Sequence, residues 1–318
     1  MNDVLLKINP IKSPIESIAC TPDSTTLAVG LAATENKTPT LALLDISSGE
    51  IIKVIEQSDN FNNSVWKLII DQTGRYLIYL KQIYNGDNRY NLVSYNMETG
   101  EKSIIMDVEN NDKYKGFIVT PDNKLSIGID NKIQKWDIAN KCIIEEINII
   151  EEKNISDPRC YTSLSYSSDN KLIAIGGIRS EEILIYDIER KTITNRIGLK
   201  IRFPKKIYFT NNNKHLFIAD YWQKGFFAWD FDKSEYYLSE TYNEDMELIS
   251  CFDIHNELSV IGMKTSVVRI LKTMEGKTLF RDKLHSGRVN DVIITPDNSK
   301  IVSAGEDGQI IVRINPIA

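Results

Sequence analysis

Histidine and cysteine are scarce: 3 and 4 in 318 residues. His215, His255 and His285 share no H-x-H or H-E-x-x-H spacing, so no local metal site can be assembled from them. Cys20, Cys142, Cys160 and Cys251 form no C-x-x-C pair, and Cys20 and Cys251 lie inside apolar runs. Buried free thiols are therefore expected rather than a disulfide framework. The chain also lacks a Gly-x-Ser-x-Gly elbow, a phosphate-binding glycine loop and a dinucleotide fingerprint. Neither a catalytic centre nor a cofactor or metal is expected. No apolar run approaches the roughly 20 residues of a membrane helix. Lysine and arginine (38) are outnumbered by aspartate and glutamate (44), for a formal charge of −6, and form no block. Nucleic acid as the main ligand and a membrane surface are thereby disfavoured. The opening MNDVLLKINP has no basic region followed by an apolar core and a cleavage site, which predicts a soluble, cytoplasmic chain.

What the chain has is repetition. Short strand-like runs and turn signals recur with few helical stretches, the pattern of an all-β repeat protein. One recurring piece is a strand ending in a large residue, then a polar one, then a turn, as in LALLDISSGE, KIQKWDIANK and FFAWDFDKSE. Taking Leu44, Tyr95, Trp136, Tyr186, Trp229, Leu271 and Arg313 as the large position gives seven units of about 45 residues. Upstream of each lies a strand pair joined by a turn such as TPDN, where Pro presets φ and Asp and Asn tolerate turn conformations. Each unit is thus four strands, a to d, and stacking units side by side buries faces that no unit buries alone. The expected blades are 11–58, 59–108, 109–150, 151–198, 199–240, 241–283 and 284–318. The last unit stops one strand short. Val4 to Ile8, VLLKI, has the length to supply it beside Gln309 to Ile314, which closes the ring and removes two free edges.

The seventh unit, LHSGRVNDVIITPDNSKIVSAGEDGQIIVRI, resembles the WD40 repeat, with a His before strand a, a Pro-Asp turn, a Ser-Ala-Gly segment and an Asp-Gly turn. The resemblance implies a seven-bladed β-propeller of four-stranded antiparallel blades. It also implies a hydrogen-bonded network within the blade: His285, Ser303 and Asp307 match, while Arg313 stands where the family has Trp. Trp136 with Asp130 keeps another pair of that pattern in the third unit. Phrases such as ILIYDIERKTI also look like the repeats of lactonase-type propellers.

With chemistry unsupported, function is expected on loops at the top face, where the chain enters strand a and turns from b to c. Long b–c turns are expected at Leu31 to Thr40, Lys81 to Arg89, Ile178 to Glu182 and Tyr221 to Lys224, against tight ones at Asp130-Asn131 and Asp307-Gly308. They carry Tyr84, Arg89, Tyr90, Arg179, Tyr221 and Trp222, residue types that dominate interface energetics. Aligning strand a from its following turn places Glu16, Trp66, Lys115, Thr162, Lys205, Glu247 and Asn290 at one position around a channel mouth, a set of mixed charge. With Arg288 beside it, this face is expected to bind a protein or peptide, the chain acting as a monomeric scaffold or a subunit of a hetero-complex. The alternatives are a lactonase-like enzyme, which needs convergent Arg, Glu and His, and a regulatory or sensor subunit of a larger assembly.

Overall fold

The computed structural model describes residues 4–35, 37–59, 63–84, 88–108, 116–129, 132–149, 161–177, 182–198, 204–220, 225–241, 248–255 and 258–317. Every regular element among them is a strand. β1 (Val4–Ile8) comes first. Blade 1 is β2 (Ile15–Cys20), β3 (Thr26–Leu31), β4 (Pro39–Asp45) and β5 (Ile51–Gln57). Blade 2 is β6 (Val65–Ile70), β7 (Tyr76–Tyr84), β8 (Asn88–Asn96) and β9 (Lys102–Val108). Blade 3 is β10 (Phe117–Val119), β11 (Leu125–Ile129), β12 (Lys132–Asp137) and β13 (Cys142–Asn148), and blade 4 is β14 (Tyr161–Tyr166), β15 (Leu172–Gly177), β16 (Glu182–Asp187) and β17 (Thr192–Gly198). Blade 5 is β18 (Pro204–Phe209), β19 (His215–Asp220), β20 (Gly225–Asp230) and β21 (Glu235–Thr241). Blade 6 is β22 (Ile249–His255), β23 (Leu258–Met263), β24 (Val267–Lys272) and β25 (Thr278–Lys283). Blade 7 has β26 (Val289–Ile294), β27 (Lys300–Gly305) and β28 (Ile310–Ile314) from the C-terminus, with β1 as its fourth strand. All seven sheets are four-stranded and antiparallel, the expected seven-bladed β-propeller fold class. The chain divides into two compact units, residues 1–109 with 245–318 (blades 1, 2, 6 and 7) and residues 110–244 (blades 3, 4 and 5).

Local chemistry explains the repetition. In blade 7 the Thr295 hydroxyl donates to the Asp297 carboxylate (2.6 Å) and accepts from the Lys300 N–H (3.0 Å), while Asn298 takes the left-handed conformation (φ 59°). The same a–b turn recurs with Thr21, Thr120, Ser167 and Thr210 as the hydroxyl and Ser24, Asn123, Asn170 and Asn213 at positive φ. Short polar side chains tolerate that conformation by bonding locally. The polar residue after each large one has an equally local reason. Asp45, Asn96, Asp137, Asp187 and Asp230 turn a side-chain oxygen onto backbone N–H groups of the following c–d turn. At Asp45, hydrogen bonds led by the Ser47 hydroxyl hold the carboxyl pKa down to about 2.

The large residues occupy one register position. Leu44, Tyr95, Trp136, Tyr186, Trp229, Leu271 and Arg313 pair with Leu27, Leu77, Leu125, Ile173, Leu216, Ser259 and Ile301 of their strand b. Neighbouring blades within a unit share apolar cores built from the facing strands, such as Ile18, Leu27, Val29 and Leu44 with Val302 and Val312. Inner strands are also stitched across blades: the Asp291 carboxylate of blade 7 accepts from Ser17 Oγ and the Ile18 N–H of blade 1, both at 2.9 Å. Ser17 in turn accepts from the Leu68 N–H of blade 2 (3.3 Å).

β1 closes blade 7 as expected. Val4, Leu6, Lys7 and Ile8 pair with Arg313, Val312, Ile311 and Ile310, and Leu6 and Ile8 pack on the core between blades 7 and 1. Gly49, in the blade 1 c–d turn, has φ 75°, and a Cβ there would lie 2.6 Å from Ile8 Cδ1. Close approach and backbone conformation both select glycine. Cys20 is half-buried, Cys251 buried and Cys142 exposed, all three free. The expectation of burial thus fails at Cys142, which starts an outer strand, and Cys160 lies outside the described residues.

Candidate functional site

Six of the seven inner strands bulge near their first residue. The ladder skips Glu16, Trp66, Thr162, Lys205, Ser250 and Asn290, so each of these is an extra residue on strand a. A bulge re-aims a side chain and breaks local pairing, a recurrent device beside binding sites. Five of these six were aligned correctly from the sequence. In blade 6 the position belongs to Ser250, not Glu247. The ladder of that strand runs on to His255, paired with Leu258, so alignment counted back from its end slips.

In the unit containing blades 6, 7, 1 and 2 this end of the strands is well defined. Trp66 is 44% exposed, and its indole N–H donates to the Gln82 side-chain oxygen at 2.9 Å. Gln82 belongs to the b–c hairpin of blade 2, in which β7 and β8 have nine residues each. The expected long turn from Lys81 to Arg89 is therefore mostly ladder: Lys81, Gln82, Ile83 and Tyr84 pair with Asn91, Tyr90, Arg89 and Asn88. Arg89 is exposed. Tyr90 is 5% exposed, a buried residue of β8 and not a surface group. Alternation along a strand puts it inward while Arg89 faces out. The longer turn of blade 1 is a true loop between Leu31 and Pro39, pinned to blade 2 where Ser64 Oγ accepts from the Ala33 N–H at 2.9 Å.

Blade 7 treats the same end differently. His285 is 3% exposed; its Nδ1 lies 3.0 Å from Asp307 Oδ1 and its Nε2 2.9 Å from Ser303 Oγ. The carboxylate only accepts, so Nδ1–H donates and Nε2 accepts from the serine. Asp307 also accepts from the N–H groups of Ser286 (2.8 Å) and Gln309 (3.2 Å). Burial lowers the His285 pKa, and Asp307 offsets this only in part. The imidazole is thus a neutral brace. Arg313, also 3% exposed, lies over the Phe280 ring of blade 6 at 3.4 Å in a cation–π contact, at the position where the WD40 repeat that this blade resembles has Trp. In blade 3, Trp136 Nε1 donates to Gln134 (3.3 Å), and Asp130 lies outside the described residues.

Lys115, Arg179, Tyr221 and Trp222, named from the sequence as partner-binding, also lie outside the described residues, as does Glu247. Tyr84 and Lys205 are placed on β7 and β18 by their backbone alone. The structure brings together Glu16, Trp66, Arg89, Arg288 and Asn290 at one end of consecutive blades. Asn290 Nδ2 donates to the Ile15 carbonyl (2.8 Å), and Ser17 meets Leu68 as above.

A buried charge cluster went unread in the sequence. Glu56, 8% exposed, accepts from Tyr79 (2.6 Å), Lys102 (2.8 Å) and Lys81 (2.9 Å), tying β5 to blade 2. Burial pushes the Glu56 pKa up, but hydrogen bonds from Lys102, Tyr79 and Lys81 outweigh it and leave the carboxyl below its ordinary value. Burial and Glu56 push the Tyr79 phenol far up. Nothing local marks this glutamate, since its partners lie 23 to 46 residues away.

Comparison with known proteins agrees with this geometry. The family model "WD domain, G-beta repeat" matches residues 276–312, the stretch that includes His285, Ser303 and Asp307. An uncharacterized WD repeat-containing protein of Acanthamoeba polyphaga mimivirus is 26% identical over 235 residues, 73% of this chain and 40% of that protein. A putative BTB/POZ domain-containing protein of the same virus is 22% identical over 187 residues, 59% of this chain and 34% of the relative. The chain spans well under half the length of these curated relatives. It is a seven-bladed β-propeller whose last repeat is similar to the WD40 repeat.

Proposed function

We propose that the chain is a non-catalytic interaction module that binds a protein or peptide through the strand-a end of blades 7, 1 and 2. WD40 propellers generally mediate protein–protein interactions, and a rigid scaffold with an exposed aromatic fits that use. One observation carries the reading. Trp66 is 44% exposed, on a bulge, with its N–H already satisfied by Gln82. A large apolar face is thereby held in a single orientation, and little side-chain entropy remains to be lost on binding. The flanking Arg89 adds a cation on the projecting hairpin. His285, engaged at both ring nitrogens, is poorly placed to act as a base in a lactonase-like site.

The test is calorimetry with the partner recovered by affinity capture from the native cell. Trp66→Ala combined with Arg89→Ala is expected to weaken binding by about 2 kcal/mol or more, with circular dichroism unchanged. Equal affinity in a folded double variant would move the interaction surface elsewhere.

A further inference from the structure

Trp66 and Gln82 fix one another. The indole N–H donates to Gln82 Oε1 at 2.9 Å, and the backbone of Gln82 is itself held from two sides. Its N–H donates to the Ser64 carbonyl (2.9 Å), its carbonyl accepts from the Asn63 N–H (3.1 Å), and it stands opposite Tyr90 in the β7–β8 ladder. The side-chain amide thus starts from a fixed backbone and ends on a hydrogen bond, so little rotamer freedom is left to lose on binding.

That hydrogen bond also decides which way the amide points. An indole N–H only donates, so the Gln82 oxygen must face it and the NH2 group must face away. Among the described residues nothing accepts from this NH2 group. Gln82 is half-buried, and its Nε2 reaches solvent. Trp66 therefore offers only the apolar part of a 44% exposed indole, and the donors beside it belong to Gln82. The cation of the preceding residue is engaged on the opposite face of the hairpin, where Glu56 holds Lys81 at 2.9 Å. An uncharged amide offsets little of the desolvation of a carboxylate or phosphate and suits a carbonyl.

We infer that Trp66 and Gln82 together read the main chain of an extended peptide. An apolar side chain of the partner lies on the indole, and a neighbouring backbone carbonyl accepts from Gln82 Nε2. The inference rests on the interaction reading above and adds which part of the partner is bound. An extended segment outside helices and sheets is the kind that fits, because its carbonyls are free of ladder bonds.

N-acetyl hexaproline dimethylamide is the probe, since all its carbonyls are free and it has no N–H of its own. In a nitrogen-15 spectrum of the full chain, the indole resonance is identified by its loss in Trp66→Phe and the Gln82 NH2 pair by its loss in Gln82→Glu. Both are expected to shift saturably on titration. Gln82→Glu keeps an oxygen for the indole but has no N–H to give. It is expected to bind the probe about fivefold more weakly, with circular dichroism unchanged. A shift of one resonance without the other, no shift at all, or equal affinity in Gln82→Glu overturns the inference. A larger shift of the NH2 pair with acetate overturns it in favour of a carboxylate. Failure of the wider interaction reading looks different: the Trp66 and Arg89 changes leave partner affinity intact while the unaltered chain still binds hexaproline.

Discussion

Blades 7 and 2 lie in the same compact unit and follow the same strand plan, yet they finish their strand-a ends with opposite chemistry. Blade 7 uses a compact polar brace in which His285, Ser303, Asp307 and the Ser286 N–H bond one another, and its b–c turn is only residues 306–309. Among the described residues, blade 2 shows no such brace. It extends the hairpin into nine-residue strands, ties its outer part to blade 1 through Glu56, and turns an indole outward. The contrast teaches that a repeat scaffold can hold its loops by local hydrogen bonds or by lengthening the ladder. The second route makes new surface, because each added rung sets another side chain toward solvent.

The comparison can be broken most severely at the edge of blade 7, because it alone borrows a strand from the other end of the chain. Deleting residues 1–8 removes four ladder positions and the apolar contacts of Leu6 and Ile8. We expect a loss of about 4 kcal/mol or more in chemical denaturation, from burial and ladder bonds together. A loss under about 1 kcal/mol would mean that the fourth strand is dispensable.

That closure was legible in the sequence, and the reason shows what else was. Val4 to Ile8 was the one strand-like run left over, and the seventh unit the one short of a strand. The large-residue positions were equally legible, since each combines a bulky side chain with an Asx-type turn whose bonds span two or three residues. Legibility ended where bonds run between blades. Glu56, Lys81 and Lys102 look like any solvated charges until β5 and β7 are placed side by side. Tyr90 was misjudged for a related reason, because a polar, Asn-rich stretch reads as a loop when it is the tip of an extended hairpin.

A second pair of changes weighs one brace against the other. Glu56→Gln leaves Lys81 and Lys102 facing each other without the carboxylate; we expect a cost of about 2 to 3 kcal/mol, toward the low end because Lys102 is partly solvated. His285→Ala strips Asp307 and Ser303 of their partner, for about 1 to 3 kcal/mol. Acid separates the two. The folded His285 pKa lies below its ordinary 6.5, so its contribution is complete above pH 6.5 and declines as pH falls below that value. The folded Glu56 pKa lies below its ordinary 4.5, so its contribution holds down to about that pH and is lost only on further acidification. Stability curves of the two variants should therefore converge on wild type in different windows, His285→Ala first. Convergence in the reverse order would show that the braces are misassigned.

The smallest expected effect on stability is at Trp66, and that smallness is what sharpens the comparison. A half-exposed indole held by one hydrogen bond to Gln82 contributes little to the core: the cluster between blades 1 and 2 is built from Val65, Leu68, Leu77, Tyr79 and Tyr95. Trp66→Ala is therefore expected to change unfolding free energy by no more than about 0.5 kcal/mol, as for substitutions at exposed positions away from caps and cores. His285→Ala in blade 7, a change of similar chemical size, costs several times more by the argument above. If Trp66→Ala instead destabilises by about 2 kcal/mol in urea denaturation, the indole braces the extended hairpin as His285 braces its loop. Blade 2 would then carry a structural aromatic where an interaction anchor is proposed.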